Sequence, residues 1–263
     1  MLSTEHLRGL LKNLCLTFFA EHHQDFAERA EHDGINHIDY LTLLVQGEME
    51  RRYHQRIERL LKRAKLPRDK RLIDFDTTRV AGISPSLISR LAEGEFIDRC
   101  ENILIFGNPG SGKSHLSIAM TREWCLRGRK AFYTSACSLT QMLLRAKKGL
   151  QLDQAIKELD RFEVLVIDDI SYLPCERSET DVLFALLAAR YEQRSLVITS
   201  NLVFSQWQQI FKDEMTTAAA IDRLVHHACV LELNVAESYR TEQAKKRMNK
   251  VLNTDKEVDS TDN

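Results

Sequence analysis

A chain of 263 residues, 43% apolar and 29% charged, has the composition of an ordinary globular protein, with room for one large domain or a medium one with a small companion. Its formal charge of −1 excludes bulk electrostatic attraction, so any affinity for nucleic acid must come from local patches. No run approaches the ~18 consecutive apolar residues of a membrane span, the N-terminus lacks a signal peptide's apolar core, and the six cysteines stand singly without a CxxC pair. The expectation is a cytoplasmic protein with reduced, mostly buried thiols and no membrane partner.

Residues 1–65 are expected to be helical throughout. From Leu41 the apolar residues Leu41, Val45, Met49, Tyr53, Ile57, Leu60 and Ala64 recur at helical spacing and predict one long amphipathic helix, stopped by Pro67. Residues 51–71 hold ten Lys or Arg against two acids, and Arg52, Arg56, Arg59 and Arg63 step along one side of that helix. Pairs such as Glu48–Arg52 and Glu58–Lys62 would absorb part of the charge. A solvated basic face is the alternative, but the excess points to contact with nucleic-acid phosphate, which for the partner expected below is double-stranded DNA. Residues 67–100 follow as a linker with a short helix, "SPSLISRLAEGEF", opened by Ser84 before Pro85.

From Asn102 the texture changes. Short strand-type runs, "ILIFG", "KAFYT", "EVLVID", "SLVITS" and "CVLEL", alternate with helical segments, the pattern of an α/β fold with a parallel sheet covered by helices. "GNPGSGKS" fits the phosphate-loop pattern without a mismatch and lies between a strand and a helix. Its glycines let the backbone curl so that N–H groups and the helix N-terminus face anionic phosphate. The expected nucleotide contacts are Gly107, Asn108, Pro109, Gly110, Ser111, Gly112, Lys113, Ser114 and His115. Lys113 would reach the β- and γ-phosphates of ATP, and Ser114 would ligate Mg2+.

Hydrolysis needs more than a grip. The run Val164 to Ile167 ends in Asp168 and Asp169, suited to holding the Mg2+ and to polarising an attacking water respectively. A further strand ends in Thr199, Ser200 and Asn201. If that strand lies between the other two, Asn201 emerges level with the γ-phosphate and can orient the water; otherwise it is a polar strand-ending turn.

The stretches "NILIFGNPGSGKSHLSIAM", "VLVIDDISYLP", "LVITSNLVFSQW", "AAIDRLVHHACVLEL" and "ESYR", in this order, resemble the IstB family of AAA+ ATPases, helpers of insertion-sequence transposition and relatives of DnaC helicase loaders. The N-terminal "GEMERRYHQRIERLLKRAKLP" is similar to the same family. The resemblance implies an AAA+ P-loop NTPase core with a five-stranded parallel sheet, an N-terminal helical domain and a reduced or absent C-terminal lid. The expected divisions are a helical domain at 1–66, a linker at 67–100, an ATPase domain at 101–252 and a disordered tail at 253–263. It also implies ATP hydrolysis, ATP-dependent self-association, and a DNA-binding helper that recruits and stimulates its transposase; a helicase loader is the alternative. Arg223 would be the arginine finger that reaches a neighbour's γ-phosphate, its rival reading being an ion pair with Asp222 or another local acid. DNA contacts would extend to Arg145, Lys147 and Lys148. Arg240 would be either a nucleotide sensor or a structural ion pair. His226 and His227, with no carboxylate or cysteine at ligand spacing, are expected to be core or interface residues and not metal ligands.

Overall fold

The computed structural model describes residues 4–64, 66–67, 69–80, 82–172, 177–211 and 213–235, which divide after Arg59 into two units. The first holds α1 (Thr4–Asn13), α2 (Thr17–Asp33) and most of α3 (His37–Ala64). The N-terminal region is therefore helical but interrupted: Cys15 and Gly34, both with left-handed φ, turn the chain between helices.

α3 buries only the later part of the stripe that its spacing suggests, Ile57 and Ala64. Leu41, Val45, Met49 and Tyr53 are 41–66% exposed, whereas Leu44 and Glu48 on the adjoining row are 2% and 4% exposed. The cause is Gly47, where a Cβ would collide with the Phe18 ring, so α2 seats on the Leu44–Gly47–Glu48 face. α2 has no side-chain cap of its own. The Glu48 carboxylate serves instead, accepting the Phe18 N–H at 2.8 Å, Arg51 Nη2 at 2.6 Å and Arg52 Nε at 2.7 Å.

In the second unit the segment expected to be a linker is part of the core. Ser84 caps α4 (Pro85–Glu93) by accepting the Leu87 N–H, Gly94 ends it, and α5 (Glu95–Asp98) follows. Val80, Ile83, Ile88, Leu91, Phe96 and Ile97 from this stretch are all buried.

Five strands follow, β1 (Asn102–Gly107), β2 (Ala131–Ser135), β3 (Val164–Asp168), β4 (Ser195–Ser200) and β5 (Ala228–Leu233). They form one parallel sheet in the order β2-β3-β4-β1-β5. The central strands are buried along their length, as near-continuous apolar runs require. Alternation sends Ile103 and Ile105 to one face, against α6 (Lys113–Leu126) and α4, and Leu104 and Phe106 to the other. That second face is covered by α7 (Ala136–Lys148), α8 (Leu152–Leu159), α9 (Arg177–Arg190), α10 (Gln208–Phe211) and α11 (Glu214–Val225).

Arg190 is fully buried beneath the sheet's entry edge, where it donates to the carbonyls of Leu159, Phe162 and Ser195 and to Asp160. Of the five described cysteines only Cys125 is buried; Cys15 and Cys137 are exposed, contrary to expectation, because they lie on a turn and on the outer face of α7. Among the described residues no helix is long and apolar enough to cross a membrane. Arg240, the lid and the tail at 253–263 lie outside the described residues.

Candidate functional site

β1 ends at the phosphate loop, and α6 begins inside it. Gly107 stands where the chain leaves the sheet: with φ +154, an added Cβ would lie 2.5 Å from the Leu233 carbonyl oxygen and 2.7 Å from Ser111 Oγ. No side chain fits there. Lys113, 6% exposed at the start of α6, donates its ammonium to the carbonyls of Gly107 at 2.7 Å and Asn108 at 3.0 Å. A cation thus stands among loop N–H groups at a helix N-terminus, an electropositive cradle. The buried Ser111 Oγ has no hydrogen-bond partner among the described residues, a donor left for an anionic guest.

Next to this loop lies an open cleft that the sequence did not disclose. Its walls are Phe75, Arg79 and Val80 from the supposed linker, with Gly112, His115 and Val235. The His115 and Phe75 rings lie 5.9 Å apart, and His115 Nε2 is 3.1 Å from the Arg71 carbonyl oxygen. An apolar slot beside a phosphate loop has the character of a base pocket.

The polar strand ends meet at one edge of the sheet. Because β4 runs between β1 and β3, the condition on Asn201 holds, and Asn201 Nδ2 donates to Asp169 Oδ1 at 3.2 Å. Asp168, 8% exposed, accepts from Thr199 Oγ1 and from Tyr133 Oη, each at 2.7 Å. Thr199 Oγ1 in turn accepts the Asp169 N–H at 2.7 Å, so one hydroxyl joins both acids. Asp169 has φ 62, a left-handed backbone that a non-glycine residue adopts at a cost of about 1 kcal/mol or more. Ser171 Oγ accepts the Asn201 N–H at 2.7 Å and steadies the opposite side of the pair.

Tyr133 was not anticipated. Its alternating position on β2 shows only which face it occupies, and register with β3 is what delivers its hydroxyl to Asp168. Burial and the neighbouring Asp168 charge raise its pKa, so the phenol stays protonated as a donor.

Arg223, half-buried in the last turn of α11, lies over the Phe184 ring at 4.9 Å and donates to the Ala219 carbonyl at 3.4 Å. The histidines that follow it are not core residues: the His226 and His227 side chains are 51% and 55% exposed. Nor are they without a carboxylate, since Glu192 comes to them from the turn after α9. Local spacing could not reveal a partner so distant in sequence.

The basic residues are less uniform than their periodicity suggests. Arg52 is held by Glu48 and by the Cys15 carbonyl at 3.0 Å. In the second unit Arg63 stacks on Phe162 at 4.6 Å. Arg56 and Arg59 are exposed. Arg145, Lys147 and Lys148 are exposed in the last turn of α7, where positive charge complements the helix dipole, and Lys147 pairs with Asp181 at 3.4 Å.

Known proteins are similar to this chain over most of its length. Residues 9–247 match the family described as IstB-like ATP binding protein. An insertion sequence ATP-binding protein of Sinorhizobium fredii is 42% identical over 220 residues, 83% of this chain and 74% of that protein. The insertion sequence IS21 ATP-binding protein of Pseudomonas aeruginosa is 34% identical over 240 residues, 91% of this chain and 90% of its own length. Among solved structures, AMPPCP-bound DnaA from Aquifex aeolicus aligns with a TM-score of 0.55 at 17% identity, over 71% of this chain and 56% of that one, a likeness of fold. A five-stranded parallel core with a phosphate loop, in a chain that one family matches over most of its length, makes this chain a member of the IstB-like ATP-binding protein family.

Proposed function

We propose that the chain binds and hydrolyses ATP with Mg2+, assembles on double-stranded DNA as ATP-dependent oligomers, and recruits and stimulates a transposase. One observation carries the hydrolytic part: the hydrogen-bonded Asp169–Asn201 pair stands at the sheet edge where the phosphate loop opens. The DNA and transposase parts draw support from relatives named for insertion sequences and from the excess of basic residues on α3.

The chain's residues fit the nucleotide. The Lys113 ammonium exchanges its loop carbonyls for β- and γ-phosphate oxygens, and the unpartnered Ser111 Oγ gains an acceptor. The base lies in the cleft of Phe75, Arg79 and His115. Ser114 and Asp168 would hold Mg2+, which would neutralise phosphate charge when bound. Asp169 accepts a proton from the attacking water while Asn201 orients both the carboxylate and the water. Arg223 leaves the Phe184 ring to meet the γ-phosphate of a neighbouring subunit.

ATP binding and turnover test this together. Lys113→Ala abolishes binding, whereas Asp169→Ala binds ATP and hydrolyses it about 10²-fold or more slowly. Equal affinity of Lys113→Ala and the parent refutes the site. Arg223→Ala binds ATP but loses turnover, and mixing it with Lys113→Ala subunits restores part of the activity by completing some interfaces. A mixed assembly no more active than its parts removes Arg223 from the mechanism. A strand-transfer assay with the cognate transposase tests the last step: stimulation requires both ATP and the chain.

A further inference from the structure

The turn after α9 and the turn after α11 bring together a carboxylate and two imidazoles that the nucleotide site does not use. Glu192 takes a left-handed φ of 56 that carries its side chain toward the start of β5. Its Oε1 lies 3.5 Å from His226 Nδ1 and 3.9 Å from His227 Nε2, and the three ligand atoms all fall within 4.8 Å of one another. The imidazole rings are tilted against each other at a centroid distance of 4.1 Å, with one nitrogen of each within 3.9 Å of the same carboxylate oxygen.

We propose that Glu192, His226 and His227 bind a divalent transition-metal ion of the zinc type. Tetrahedral coordination at about 2.0–2.1 Å sets neighbouring ligand atoms about 3.4 Å apart. The Glu192–His226 separation of 3.5 Å already meets that spacing, and Glu192–His227 at 3.9 Å is within a small rotation of an exposed side chain. Two imidazoles with one carboxylate select zinc, cobalt or nickel over magnesium or calcium, which prefer all-oxygen shells. Water fills the fourth position, because all three residues face solvent.

The Tyr191 hydroxyl, 3.1 Å from His226 Nδ1, gives up that contact when the ion binds and is then available to the carboxylate or to the bound water. The ion ties the α9–β4 turn to the α11–β5 turn. It thereby fixes the C-terminal end of the helix that carries Arg223, one turn upstream. Binding itself does not depend on the ATPase reading.

Untagged full-length chain, stripped with a chelator, desalted and free of nucleotide, is titrated with Zn2+ by calorimetry and with Co2+ by visible absorption. The parent takes up one Zn2+ per chain and gives the intense visible bands of tetrahedral cobalt. Glu192→Gln weakens binding about tenfold or more, and the double variant His226→Ala/His227→Ala loses it, while both melt as the metal-free parent does. Zn2+ also raises the melting temperature of the parent and not of the double variant. The proposal is overturned if the parent shows no saturable uptake, or if the double variant or Glu192→Gln binds one equivalent with parental affinity, which assigns the ion to other side chains.

Discussion

Replacing Glu48 by Gln removes one charge and almost no volume, and so isolates what holds α2 against α3. Burial alone would push this carboxyl up, but hydrogen bonds from Arg51, Arg52 and the Phe18 N–H outweigh it and hold the group at about 2, below its ordinary 4.5. The full difference is worth at most about 3 kcal/mol at neutral pH. The Arg52 side chain is 54% exposed, and water screens part of its share, leaving about 2 kcal/mol. A depressed carboxylate contributes stability above its unfolded pKa and loses it as pH falls through the folded one. The parent should therefore exceed Glu48→Gln by about 2 kcal/mol near pH 7, and the gap should close between pH about 4.5 and about 2. Amide hydrogen exchange in α2 and α3, read for both proteins across that range, measures the gap in the unit concerned. No gap at pH 7, or a gap independent of pH, would show that the charge of Glu48 does not hold the two helices together.

Tyr133→Phe deletes a donor to Asp168 without changing the fold, and it should raise the Mg2+ concentration for half-maximal ATPase about tenfold; an unchanged Mg2+ dependence would leave Tyr133 a packing residue. Phe75→Ala, by opening the base pocket, should weaken ATP binding about tenfold in equilibrium titrations while turnover at saturating ATP stays within about twofold. Arg190→Ala strands three buried carbonyls and should lower stability by about 3 kcal/mol, seen as a fall of the second unit's melting temperature by about 6 °C or more. Exchanging Arg52, Arg56, Arg59 and Arg63 for Gln should weaken DNA binding on all sequences alike and flatten its salt dependence, with a smaller loss from Arg52, which Glu48 already holds. A parental salt slope would reduce that face to a solvated one.

Features set by short-range covalent spacing were legible in the sequence. The phosphate loop, the five strand-type runs and the Ser84 cap each depend on residues within one turn or one strand, and the structure has them in place. Features set by what comes from elsewhere were not. Helical spacing marked an apolar stripe along α3, and Ile57 and Ala64 are buried as it implies, but in the first half Gly47 chose the adjoining face through its close approach to Phe18. Residues 72–80 looked like linker since their apolar residues are scattered, yet Phe75 and Val80 wall the cleft beside the loop. Glu192 and Tyr133 reach their partners only through turn geometry and sheet register.

The partners of the two acids also bear on how an aspartate would fill the role proposed for position 169. Asp168 receives hydrogen bonds from two neutral hydroxyls, Tyr133 and Thr199, and neither cancels its charge as an arginine or lysine would. Its position is therefore fixed while its full negative charge stays available to a cation. Asp169 is one methylene shorter than glutamate, a loss of reach that the backbone can offset. The left-handed φ of 62 turns this residue out of the strand direction, and the Thr199 hydroxyl anchors its N–H so that the turn does not relax. Asn201 then grips the carboxylate from β4 at 3.2 Å. On this reasoning Asp169→Glu carries a longer side chain into a site already advanced by the backbone and should be slower than the parent. Adding Thr199→Val should harm both acids at once, because a single hydroxyl serves them. Turnover of the double variant equal to that of Asp169→Glu alone would show that the hydroxyl contributes nothing to their placement.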